Sequence, residues 1–171
     1  MDRHAVHREM ERARADFHQL LNGASAADLR RRSDGTRWNN KQLLFHMLLG
    51  YLIVQALRRL VVAFDRLPAT TNRRFARLLD TLTVPFDVVN YAGAWLAGSL
   101  LPRRALNTLA DRTVTALQRR VDTETEENLA RTMRFPTRWD PNFRETMTLA
   151  DVYHFPTRHF DFHRRQLTLT G

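Results

Sequence analysis

Near the C-terminus the chain reads His159-Phe160-Asp161-Phe162-His163-Arg164-Arg165-Gln166. Histidines at i and i+4 leave a helix on one face, one turn apart, so both imidazoles can reach a single ion. A metalloprotease helix would need Glu directly after the first histidine, and Phe160 stands there. A third candidate, His46, lies in Leu43-Leu44-Phe45-His46-Met47-Leu48-Leu49. A lone histidine in an apolar helix is usually a satisfied core residue, yet burying an imidazole without a partner is costly. A second helix that offers two more histidines would give it one. Three neutral imidazoles fill three positions of a tetrahedral metal and leave the fourth for water or substrate.

The other histidines fit this chemistry poorly. His154 precedes His159 by five residues, about 140° round a helix, and is expected to miss the metal. His4, His7 and His18 fall among charged residues of the first helix and read as solvated. Gln42 and Gln166 lie one turn or less from His46 and His163 and are candidates to orient an imidazole, although surface glutamines fit the same positions. Tyr51, Asp87, Asn90 and Tyr91 are polar groups in greasy surroundings, either lining a pocket or bonded within the core. There is no G-x-S-x-G elbow.

Helices must position these residues. A first one is expected from about Asp2 to Leu21, ended by a left-handed Gly23, with a short helical piece near Ser25–Arg31 and a turn at Ser33-Asp34-Gly35. The next follows Asn39 or Asn40 as cap and runs to about Phe64. A third begins near Asn72 and includes the apolar stretch Leu82–Leu101, 20 residues long. Its length suits a membrane span, but Asp87 near its middle costs about 2.5–3.5 kcal/mol there. It reads instead as a helix buried in the core or in a homodimer interface. A fourth is expected over roughly Arg103–Met133, then a loop through Phe135–Asn142. The last starts after Thr148, with capping-box spacing to Asp151, and ends near Gln166. Pro156 falls inside it and removes a backbone hydrogen bond. Strand patterns are nearly absent. The expected fold is all-α, a four-helix bundle with extra short helices in one domain over 1–171.

Composition narrows the function. The chain has no cysteine, so disulfides, cysteine ligands and a cysteine nucleophile are all excluded. That, and an N-terminus without an apolar signal core, points to the cytoplasm. The net charge is +9, and Lys41 is the only lysine. The arginines come in short dispersed runs without interleaved aromatics, which fits a solvated basic surface better than specific nucleic-acid recognition.

Trp38, a polar cap, His46 in the second helix and a final H-x-x-x-H-R-x-Q resemble the DinB-like metalloprotein superfamily over about Trp38–Gln166. The resemblance implies a four-helix bundle holding a divalent metal, commonly zinc or nickel, on His46, His159 and His163. Some members are thiol S-transferases that use mycothiol, bacillithiol or glutathione. That implies a low-molecular-weight thiol and a small electrophile as partners here. The alternative is a non-catalytic bundle that binds a metal or a hydrophobic ligand.

Overall fold

In a computed structural model that describes residues 1–170, helices follow one another through mostly short connections, several of the helices opened by side-chain caps. The first, α1 (Arg3–Gly23), starts where the Asp2 side chain accepts from the Ala5 amide. A second, α2 (Ala26–Arg30), is opened by a capping box between Ser25 and Asp28. Asn39 and Gln42 make another at the start of α3 (Asn40–Phe64). Then come α4 (Ala69–Thr81), α5 (Thr83–Leu100), α6 (Arg103–Thr123) and α7 (Glu126–Ala130). A short ribbon pairs β1 (Thr132–Arg134) with β2 (Thr146–Thr148), antiparallel with Met133 opposite Met147. Finally α8 (Leu149–Arg164) begins at the expected Thr148–Asp151 box.

Helices α1, α3, α6 and α8 form the bundle. Each gives one apolar stripe at three- and four-residue spacing: Val6, Met10, Ala13, Phe17 and Leu21 from α1, and Leu106, Ala110, Val114, Leu117 and Val121 from α6, all buried. Removing each of the larger side chains from water stabilises the fold by about 1.5–3 kcal/mol. Among the described residues, α3 is the one helix long and apolar enough to cross a membrane. Here Leu43, Leu44, Met47, Leu48, Val54 and Val61 pack it into the bundle instead.

Several expectations need correction. Gly23 has no positive φ; α1 ends through an extended Ala24, and the left-handed glycine is Gly35 (φ 63°) in the turn that follows. Asn72 does not cap a helix, because α4 has already begun at Ala69; its side chain accepts from the Arg134 amide. The third helix is broken at Leu82, and the fourth stops at Thr123. Residues expected to extend the fourth helix form α7 and β1 instead.

The largest difference concerns Leu82–Leu101. Only Ala94 and Gly98 of α5 are buried, while Val84, Val88, Val89, Leu96 and Leu100 are exposed. Four helices already fill the core of the bundle, so α5 lies against the outside of α3. It packs there through its small residues: a Cβ added at Gly98 would stand 2.5 Å from the Gln42 Cα.

Candidate metal centre

The register of α3 is fixed by its buried leucines, and that register turns His46 inward toward α8. On α8, Phe155 and Phe160 are buried at 1% exposure, which locks the face that carries His159 and His163. Gly50, one turn beyond His46, makes room for this meeting. A Cβ at position 50 would lie 2.7 Å from Cδ2 of His159.

All three imidazoles are buried, and one nitrogen from each lies within 4.8 Å of the others. Nε2 of His46 is 3.1 Å from Nε2 of His163. The far nitrogens are held from outside. Nδ1 of His159 meets Asp140 Oδ2 at 2.6 Å, and Nδ1 of His163 meets Gln166 Oε1 at 2.6 Å. With carboxylate and amide oxygens as acceptors, each Nδ1 carries a proton, and in the neutral form of such a ring Nε2 is the nitrogen left with a lone pair. Trp38 stacks on the His46 ring at a centroid distance of 4.4 Å.

This donor set suits a cation. Nε2 of His159 also lies 3.4 Å from the backbone oxygen of His46, so a nitrogen and an oxygen stand together beside the other two imidazoles. Buried Nδ1 of His46 has no hydrogen-bond partner. Burial, reinforced by the neighbouring imidazoles, holds His46 well below the usual histidine range, and Asn90 only partly opposes this. Burial and the nearby His159 lower His163 to about 4. Both are therefore neutral near pH 7, the form that a metal needs. Burial works against ionisation of Asp140, but its bonds with His159 and Asn142 outweigh that and keep its carboxyl below the ordinary range.

A profile of the DinB superfamily matches residues 9–167. The chain belongs to the DinB superfamily. No curated protein and no solved structure gives a significant match. Family membership and the three-histidine cluster both fit metal binding.

Other residues singled out in this DinB-superfamily chain divide clearly. Gln166 Oε1 stands 2.6 Å from His163 Nδ1. Gln42 does not reach His46: its Oε1 accepts from the Asn39 amide and its Nε2 donates to Ser99 Oγ at 2.9 Å. Closing the helix cap draws that side chain toward the N-terminus and away from the imidazole. The Tyr51 hydroxyl bonds Thr157 Oγ1 at 2.9 Å inside the bundle. Asp87, Asn90 and Tyr91 line a cleft of about 520 Å³ that reaches His163, with Arg37 and Trp38 across from them. Trp38 ties the two walls together by donating from Nε1 to the Tyr91 carbonyl at 3.3 Å. His154 pairs with Glu9, and His18 bridges Asn107 and Asp111. His18 is therefore partly buried and hydrogen-bonded on both ring nitrogens.

Asp140 is the functional residue that sequence reasoning missed. It sits in the loop between β1 and β2, and its Oδ1 is fixed by the Asn142 amide and side chain at 2.7 and 2.9 Å. Trp139 anchors the loop by stacking on Phe86 and donating to the Leu79 carbonyl. No spacing rule links Asp140 to His159. Gly50 did carry a signal: a glycine inside a strong helix costs about 1 kcal/mol and invites the question of what approaches it.

Proposed function

We propose that this DinB-superfamily protein is a divalent-metal-dependent S-transferase that activates a low-molecular-weight thiol, with zinc or nickel held by His46, His159 and His163. One observation carries the reading: three imidazoles converge on one point, and one of them, His163, lines a cleft large enough for a small molecule. A bound divalent ion supplies charge that lowers the pKa of a thiol, making a nucleophile available at neutral pH in a chain that has no cysteine of its own.

The protein's own groups do the positioning. Asp140 and Gln166 fix the tautomers of His159 and His163, so neither ring turns an N–H toward the metal position. Trp38 covers one face of His46 and narrows water access from that side. Arg37 places a positive charge along the cleft, suited to the carboxylate of a cosubstrate, and Asp87 offers an acceptor for its amine or hydroxyl groups.

The test begins with elemental analysis. About one divalent ion per chain is expected, with occupancy falling in His46→Ala, His159→Ala and His163→Ala. Cobalt-substituted protein is then titrated with mycothiol, bacillithiol and glutathione. One of them should produce a sulfur-to-metal charge-transfer band and accelerate conjugation of an electrophile. A metal spectrum that no thiol perturbs, with no conjugation, would favour a non-catalytic metal protein.

A further inference from the structure

The outer side of α5 is apolar along its whole length, and nothing among the described residues covers it. At 100° per residue, Asn90, Ala94, Ala97 and Gly98 fall on the side toward α3. The opposite side carries Val84, Val88, Val89, Trp95, Leu96 and Leu100, each between 50% and 72% exposed. Asp87 is the only charged residue of the helix, and it turns into the cleft of the metal centre. The 18 residues make an apolar ridge about 27 Å long. A contiguous patch of that size on a protein surface marks a site of contact.

What it contacts is indicated by the charges at its two ends. Preceding it, α4 exposes Arg73, Arg74 and Arg77. Asp80 and Glu145 lie near this group, but Arg134 already pairs with Glu145. At the other end, Gly98 and Ser99 border a cleft of about 430 Å³ that also holds Arg30, Lys41 and Arg103. No carboxylate lines that cleft. Burial and the adjacent Arg103 lower the Lys41 pKa, as expected for cations crowded together without a counter-charge.

We propose that α5 docks the protein on an anionic phospholipid surface, with its outer side in the acyl boundary and the flanking cations on headgroup phosphates. An exposed apolar ridge flanked by cations suits an anionic lipid interface; α5 supplies the ridge, and α4 with Arg30, Lys41 and Arg103 supplies the cations. A second copy of the chain fits less well. Both ends of the ridge are positive, so pairing α5 with α5, parallel or antiparallel, would set cations against cations. The net charge of +9 also favours an anionic surface over self-association. The inference does not depend on the metal or on the transferase reading.

Flotation of the full-length protein with vesicles tests it, using phosphatidylcholine alone and phosphatidylcholine mixed with phosphatidylglycerol. Anionic vesicles should bind at least about tenfold more tightly than neutral ones, with binding falling as salt rises. Tryptophan emission should shift to the blue on binding, and Trp95→Phe should remove most of the shift. Val88→Asp with Leu96→Asp, on the exposed side, should abolish binding while circular dichroism stays unchanged. Arg30→Glu with Lys41→Glu should weaken binding more than about tenfold. Four results would overturn the proposal. They are no binding to anionic vesicles at low salt, equal binding to neutral ones, Val88→Asp/Leu96→Asp protein that binds normally, and a stable dimer that this double variant converts to monomer. The last would assign the ridge to a second copy.

Discussion

Asp140→Asn should damage the metal centre more than its small size change suggests. In the native protein, Oδ2 of Asp140 accepts the Nδ1 proton of His159 at 2.6 Å, while Oδ1 accepts from the amide and the side chain of Asn142. An asparagine at 140 keeps one oxygen, and the two Asn142 donors claim it. Its NH₂ group is then turned toward His159 Nδ1, which can only accept. The proton moves to Nε2, and the nitrogen that should bind metal becomes a donor. Removing an outer carboxylate of this kind typically costs 10–100-fold in affinity. Because Asn enforces the wrong tautomer, the expected loss lies near the upper limit, about 100-fold or about 2.7 kcal/mol. Asp140→Ala leaves His159 free to choose its tautomer and should lose nearer to tenfold. Competition with a chromophoric chelator measures all three proteins. If Asp140→Asn binds within twofold of the native protein while His159→Ala does not bind, the tautomer argument is wrong. If Ala proves worse than Asn, the carboxylate acts by filling space.

Gly50→Ala places a methyl 2.7 Å from Cδ2 of His159, so the ring must move; metal affinity should drop, with stability falling by about 1–3 kcal/mol in urea titrations. Metal-free protein should lose stability on acidification: His46 and His163 resist protonation when folded, whereas unfolded imidazoles take up protons below about 6.5. Their contribution is thus complete above that pH and declines as pH falls, levelling off for His163 near 4, with a slope of at most about 1.4 kcal/mol per pH unit for each histidine. Urea midpoints across this range check the sign, and His163→Gln should remove part of the slope. His154→Ala breaks only a partly exposed pair with Glu9 and should leave metal occupancy unchanged by elemental analysis.

The histidine spacing, the caps and the apolar stripes are local properties, and the sequence by itself determined them. His159 and His163 share a face because a helix repeats every 3.6 residues, whatever surrounds it. Asn39, Thr148 and Asp151 announced helix starts because unpaired amides at a helix end need nearby acceptors. That His46 joins the pair was legible only through likeness to known proteins, since 113 residues separate it from His159. Tertiary structure alone decided the rest. Asp140 became the partner of His159 because the β1–β2 loop folds back over α8, a contact between segments that no periodicity encodes. Gln42 and Gln166 both lie within a turn of a histidine, and only the spatial competition for their amides separated a helix cap from an imidazole partner. The apolar run after Leu82 read as core because hydrophobicity records a preference to leave water and not the place available. Four helices already filled the interior, so α5 stayed outside with its greasy side turned away.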